Sequence, residues 1–214
     1  MTIVAIDGPA GSGKSTVARK LAERLGVRYL DTGAMYRAVA FAALRRGLDP
    51  EDEEAVGRVA ERLELRVDED GVSVDGVDAS IEIRGPEVTR AVSAVAANPL
   101  VRRELVRRQR DWVADGGGAA VVEGRDIGTV VFPDARLKAF LTARLDVRAD
   151  RRQREVTDLE YEAVAADLAR RDTLDSDRAL DPLARAPDAV VIDTSDRSVA
   201  ELVEELVATL EGGG

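Results

Sequence analysis

Residues 8–15 read Gly8-Pro9-Ala10-Gly11-Ser12-Gly13-Lys14-Ser15, the spacing G-x-x-x-x-G-K-S, directly after the apolar run Ile3-Val4-Ala5-Ile6. Glycines in such a loop let successive backbone N–H groups turn inward around phosphate oxygens, with Lys14 reaching the terminal phosphates and the Ser15 hydroxyl ligating Mg2+. The helix that must follow, through Thr16, points its positive end at the same place. A Gly-rich strand-to-helix turn without ligand is the plainer reading. Strand, loop, Lys-Ser and helix nevertheless stand in the register that binds a nucleoside triphosphate.

Five β-rich segments can be picked out, at residues 2–7, 28–31, 119–123, 137–142 and 189–193, and each ends in polar residues. These are Asp7, Asp31-Thr32, Glu123-Gly124-Arg125-Asp126, Thr142 with Arg144, and Asp193-Thr194. In open parallel sheets the ligand crevice lies beyond the carboxyl ends of the strands. Any one of these residues could simply cap a helix; together they favour a shared cleft. Arg37, next to Tyr36, could lean over it or be a solvated helix arginine. Arg125-Asp126 also suits a local ion pair. Arg171, Asp175 and Arg178, at i, i+4 and i+7, fall on one helical face if the helix persists that far, a spacing that equally fits a solvated face. The run Arg144, Arg148, Arg151, Arg152 and Arg154 has the same two readings. Trp112 fits packing better than base stacking.

The chain contains no histidine and no cysteine, which removes the usual general base, disulfides and thiolate chemistry. A hydroxyl acceptor would call for such a base. A phosphate monoester acceptor does not, because its oxygens are already anionic at neutral pH; the task is to bring two polyanions together. Arginine suits that task through a planar fork that never loses its charge, and only Lys14, Lys20 and Lys138 of the 31 basic residues are not arginine. The pattern therefore favours a nucleotide kinase. A formal charge of −10 argues against a general nucleic-acid-binding surface. The apolar stretch before Asp7 is too short for a signal-peptide core and no run approaches membrane-spanning length, so the cytoplasm is the expected location.

The elements that must position these groups alternate. Three of the strands are nearly continuous apolar runs, as in strands covered on both faces. Val17, Leu21 and Leu25 recur at helical spacing before Gly26, and Met35, Val39 and Ala42 continue after Gly33. Further helices fit residues 99–114, 146–155, 159–171 and 198–210. This alternation predicts an α/β fold with a doubly wound parallel sheet. Residues 51–97 break the rhythm. A charged helix at 51–63 leads into three short strands, 65–67, 72–74 and 79–81, separated by Asp70-Gly71 and Asp75-Gly76, turns that suit antiparallel hairpins. The tail from Gly212 is expected to be disordered.

Several segments resemble the bacterial cytidylate kinases, in order and nearly end to end. They are Asp31-Thr32-Gly33-Ala34-Met35-Tyr36-Arg37, Ser93-Ala94-Val95-Ala96-Ala97, and the run from Glu123-Gly124-Arg125-Asp126-Ile127-Gly128 through Thr129-Val130-Val131-Phe132-Pro133-Asp134-Ala135. Arg170-Arg171-Asp172 follows, with Asp175 and Arg178. The resemblance implies the P-loop nucleoside monophosphate kinase fold: a five-stranded parallel sheet flanked by helices, a small three-stranded antiparallel sheet in the acceptor region, and a short helical lid. It divides the chain into a core, 1–48 and 98–214, an acceptor-binding insertion, 49–97, and a lid, 144–158. It implies phosphorylation of CMP and dCMP by ATP with Mg2+, by a monomer needing neither nucleic-acid polymer nor membrane. Ser93, Arg102 and Asp126 would read cytosine; Thr32, Arg171 and Asp175 would lie near the ribose. Arg37, Arg125 and Arg178 would clamp the acceptor phosphate, with Tyr36 as a supporting wall. Arg148, Arg151 and Arg152 would be lid residues, Arg151 on the donor. The catalytic set would be Lys14, Arg37, Arg125, Arg148 and Arg152, and the loop from Gly8 to Thr16 would hold ATP. Residues 153–162 are shorter than usual and lack glycine; Thr32 stands where serine is common. A kinase for UMP, AMP or a metabolite hydroxyl, and a regulatory P-loop ATPase, are the alternatives.

Overall fold

The structure, a computed structural model, describes residues 2–68, 71–155 and 160–212. Its elements run β1 (Ile3–Asp7), α1 (Lys14–Leu25), β2 (Arg28–Asp31), α2 (Thr32–Arg45), α3 (Glu53–Arg62), β3 (Leu65–Asp68), β4 (Gly71–Val74), β5 (Val77–Asp78), α4 (Pro86–Ala97), α5 (Pro99–Asp115), β6 (Ala120–Gly124), β7 (Leu137–Thr142), α6 (Leu145–Glu155), α7 (Tyr161–Asp177), β8 (Val190–Asp193) and α8 (Val199–Gly212). Asp70 of the first hairpin turn, residues 156–158 of the expected lid, Leu159 at an expected helix start, and the last two glycines of the tail lie outside the described residues.

The larger sheet has the order β2-β6-β1-β7-β8. β1 pairs in parallel with β6 on one side and β7 on the other. The chain leaves β1 towards β2 at one edge of the sheet and leaves β7 towards β8 at the other, so β1 and β7 flank a switch point that opens a crevice at their carboxyl ends. The central strands are apolar because both faces are covered: β6 is buried at every residue and β1 at every residue after the first. This is the doubly wound α/β architecture that the alternation predicts.

Two compact units divide the chain, Met1–Arg28 with Gly118–Gly214, and Tyr29–Gly117. In the first, α1 buries Val17, Ala18, Leu21 and Ala22 and packs beside α8, which buries Leu202, Leu206 and Leu210. α1 ends at Gly26, whose φ of 65° is the left-handed conformation that closes a helix. Ala10 of the phosphate loop joins Ala149 of α6 and Val164 and Leu168 of α7 in a small apolar cluster. This packing fixes the two arginine-bearing helices against the loop.

In the second unit α3 packs on α5 and α2 on α4. The strand-rich reading of residues 51–97 leaves out α4, although Pro86 in its first turn and Val88, Ala91, Val92 and Val95 at helical spacing mark it. The third strand of the small sheet is β5, not residues 79–81. Asp75 (φ 51°) and Gly76 (φ 77°) make a two-residue turn that puts Val74 opposite Val77 and Ser73 opposite Asp78. Pairing is complete by Ala79, whose N–H reaches Val72 O at 2.8 Å, and the Ser80 hydroxyl then takes the Val72 N–H at 2.9 Å. Trp112 packs as expected and donates its indole N–H to Val67 O. Arg108 closes α3: its guanidinium donates to Leu63 O (2.8 Å), Ala60 O (2.9 Å) and Glu61 O (3.2 Å), all at the carboxyl end of that helix. Arg108→Met keeps the aliphatic stem but orphans those carbonyls. It is expected to cost about 1–3 kcal/mol, measured by denaturant unfolding.

Candidate active site

Leaving β1, the chain makes the phosphate loop in conformations that only glycine adopts without strain. Gly8 has φ 146°, and a Cβ there would sit 2.0 Å from Leu141 O; Gly13, with φ 85°, precedes the first turn of α1. The Lys14 Nζ donates to Pro9 O at 2.7 Å, within its own loop. Burial and the nearby Arg125 charge lower its pKa to about 7, although Glu123, Asp7 and Asp175 oppose the shift. The Ser12 hydroxyl is buried and has no hydrogen-bond partner among the described residues. Ser15 and Thr16, in the first turn of α1, are exposed.

Two arginines of α6 are tied to this loop. Arg148 donates to Ala143 O (3.1 Å) and Ala10 O (3.2 Å) and pairs with Asp172 of α7 at 2.5 Å. Arg151 grips Thr194 through the hydroxyl (2.9 Å) and the carbonyl (2.7 Å), and the Thr194 hydroxyl donates to Ser12 O at 2.9 Å. Arg152, on the same helix, is half-buried.

A cluster of arginines and carboxylates lies in the same unit. Helix α7 continues to Asp177 and places Arg178 at its C-cap, so the Arg171, Asp175, Arg178 spacing is realised. Arg171 and Asp175 are buried, which rules out the solvated-face reading. Arg125 donates through Nε to Asp175 at 2.8 Å and through Nη1 to Gly124 O at 3.2 Å. Burial pushes the Asp175 carboxyl up, but Arg125, with Arg171 and Arg178, holds it below the usual carboxylate range. Arg178 lies 3.8 Å from the buried Asp126 carboxylate and donates to Asp181 O. The Arg171 Nε is buried without a hydrogen-bond partner among the described residues.

In the second unit, Asp31 caps α2 by accepting the Ala34 N–H at 3.0 Å, which fixes the start of the helix bearing Thr32, Tyr36 and Arg37. Arg37 donates to Ile83 O (3.1 Å) and the Thr89 hydroxyl (3.0 Å). Arg102, 1% exposed, donates to Ala96 O and stacks 5.8 Å from the Tyr36 ring. Ser93, on α4, is half-buried. Asp7, Glu123 and Thr194 are marked by the strand-end pattern without a task; the structure gives Asp7 and Glu123 a charge interaction with Lys14 and Thr194 the bond to Arg151. Asp172 is signalled only by its place in Arg170-Arg171-Asp172.

A phosphate loop at the switch point of a parallel sheet, with arginines packed against it, is the arrangement of a P-loop kinase. The solved structure of TT1252 from Thermus thermophilus shares the fold, with a TM-score of 0.51 over 99% of this chain and 96% of that one at 20% identity. The family profile described as cytidylate kinase matches residues 4–212. The cytidylate kinase of Mycolicibacterium paratuberculosis is 56% identical over 212 residues, 95% of this chain and 92% of that protein. That of Corynebacterium glutamicum is 50% identical over 217 residues, 98% of this chain and 94% of the relative. The chain belongs to the cytidylate kinase family.

Proposed function

We propose that this chain transfers the γ-phosphoryl group of ATP to CMP and dCMP, giving CDP and dCDP, as a monomeric cytoplasmic enzyme that needs no nucleic-acid polymer and no membrane. Among the described residues no helix is long and apolar enough to cross a membrane. The observation that carries the reading is the cluster of Arg125, Arg171 and Arg178 around Asp126 and Asp175, in the unit that holds the phosphate loop. Arg125, Arg171 and Arg178 gather guanidinium groups there, and the Arg171 Nε and Ser12 hydroxyl, buried without a hydrogen-bond partner among the described residues, are donors suited to ligand oxygens.

In this reading the loop from Gly8 to Thr16 cradles the ATP phosphates and Lys14 follows the transferring group. Arg37, Arg125 and Arg178 hold the acceptor phosphate. Ser93, Arg102 and Asp126 read cytosine, where a carboxylate accepts from the exocyclic amine. Thr32, Arg171 and Asp175 contact the ribose, and Tyr36 supports Arg102. Residues 49–97 form the acceptor-binding insertion. Residues 144–158 form the lid, bringing Arg148 and Arg152 to the transferring group and Arg151 to the donor. No group of three or more His, Cys, Asp or Glu among the described residues could hold a metal ion. The donor set fits Mg2+ shared with phosphate oxygens, with the exposed Ser15 hydroxyl as the protein ligand. When bound, Mg2+ neutralises charge on the phosphates. Arginines and Lys14 align the two anions, which needs no general base.

Coupled assays across nucleoside monophosphates test the reading: kcat/KM for CMP is expected to exceed that for AMP or GMP by at least about 100-fold. Asp126→Asn should lower kcat/KM for CMP while leaving ATP affinity unchanged. Equal loss of both would remove Asp126 from base recognition.

A further inference from the structure

Asp7 is a buried carboxylate, 4% exposed, at the last residue of β1 and immediately before Gly8 of the phosphate loop. Its two oxygens divide two backbone donors. Oδ1 accepts the Ile127 N–H at 2.8 Å and Oδ2 accepts the Gly128 N–H at 2.8 Å. Those residues open a short π-helical turn, Ile127–Val131, just after Arg125 and Asp126 leave β6. Asp7 is also the register partner of Gly124 in the β1–β6 ladder. Arg125 and Asp126 therefore form a two-residue arc held at both ends by one residue: at Gly124 by the backbone of Asp7, and at Ile127 and Gly128 by its side chain.

The arc lies close against its anchor. A Cβ on Gly128 would meet Asp7 Oδ2 at 3.4 Å and the Lys138 Cδ at 3.1 Å. Only an ionised carboxylate serves both donors, because an amide offers one accepting oxygen and would turn its NH2 toward the other N–H. The carboxylate is kept there at a cost, since burial pushes its pKa up to about 6 against the two N–H bonds and Lys14. We infer that Asp7 is a positioning residue for phosphoryl transfer: through the N–H groups of Ile127 and Gly128 it fixes Arg125 and Asp126 relative to the phosphate loop it precedes. The inference rests on the reading that Arg125 and Asp126 engage the acceptor.

Asp7→Asn preserves shape and removes one of the two acceptors. Well below its melting temperature, it is expected to lose about 100-fold in kcat/KM for CMP, the scale of an ångström-sized misplacement, against a loss of ATP affinity of no more than about tenfold from removing its charge near Lys14. A lower melting temperature with CMP kinetics within about threefold of wild type overturns the inference. So does an equal loss of ATP affinity, which would place Asp7 on the donor side. If Asp7→Asn does not fold, Asp7→Glu keeps both accepting oxygens but carries them one methylene further from β1, which displaces the same turn and must raise KM for CMP or lower kcat; unaltered CMP kinetics overturns the inference. In a cycle with Arg125→Lys the losses should be non-additive, since Asp7 acts through that residue, and additive losses reject the coupling. If Arg125→Lys alone leaves CMP kinetics untouched, the acceptor reading has failed and the inference with it. If that variant is impaired and Asp7→Asn is not, only the positioning role falls.

Discussion

An Arg125→Met enzyme is expected to phosphorylate CMP at least about 10³-fold more slowly than wild type, while its affinity for ATP stays within a small factor. Arg125 spends two of its N–H groups on Asp175 and Gly124 O, and a guanidinium carries five. The rest of the fork can take a phosphate bidentately while Asp175 fixes its plane, so the charge is preorganised where it develops during transfer. Methionine fills the space and supplies no donor. Arg125→Lys keeps charge without the fork and should fall between the two. Arg125→Met also strips Asp175 of its leading counter-charge. In wild type that carboxylate is held below the usual range, so its stabilising contribution is present at neutral pH and lost as pH falls through the depressed value. The variant should therefore be less stable at pH 7 and lose less on acidification. Steady-state kinetics with CMP varied, ATP titration calorimetry and melting at two pH values measure these effects. Turnover within tenfold of wild type would remove Arg125 from the chemistry.

ATP binding at pH 8 is expected to take up close to one proton per site, and Lys14→Met is expected to abolish that uptake and lower kcat by about 10²–10³-fold. With its pKa brought from 10.5 to about 7 by burial and by Arg125, Lys14 is mostly a neutral amine at pH 8 in the ATP-free protein. Triphosphate oxygens favour the ammonium and restore the proton. At pH 6 the site is already charged and uptake should nearly vanish. Calorimetry with ATP alone, in buffers of different ionisation enthalpy, reads the proton count directly. A binding enthalpy independent of buffer at pH 8 would contradict the assignment. Stability carries the same signature. Between about 7 and 10.5 the unfolded chain binds more protons at this lysine than the folded one, so wild type gains stability as pH rises through that window. Lys14→Met lacks the gain.

The phosphate loop, the five strands and most helices were legible because each depends on neighbouring residues: a glycine spacing, an apolar run, a 3.6-residue period. The small sheet is legible through its Asp-Gly turns, but the pattern starts its last strand two residues too late, at 79 instead of 77, since a two-residue turn demands that pairing resume at Val77 at once. α4 was missed because short apolar pairs such as Ala91-Val92 and Val95-Ala96 fit strand and helix alike; packing against α2 decided it. Arg171 and Asp175 show the same limit. Their spacing suits a wet face or a buried one, and Arg125, 50 residues from Asp175, supplies the counter-charge that settles the matter.

By itself, then, the sequence determined a phosphate-binding loop on a parallel α/β sheet, a chain rich in arginine and without histidine, and motifs shared with one kinase family. These are properties of contiguous residues and of composition. Only the tertiary structure decided what each polar group touches: Arg151 on Thr194, Arg148 between Ala10 and Asp172, and Asp7 beneath the turn that follows Arg125 and Asp126. Whether a carboxylate caps, pairs or positions depends on donors brought to within 3 Å from as many as 121 residues away. No local pattern encodes that proximity; the sheet order creates it.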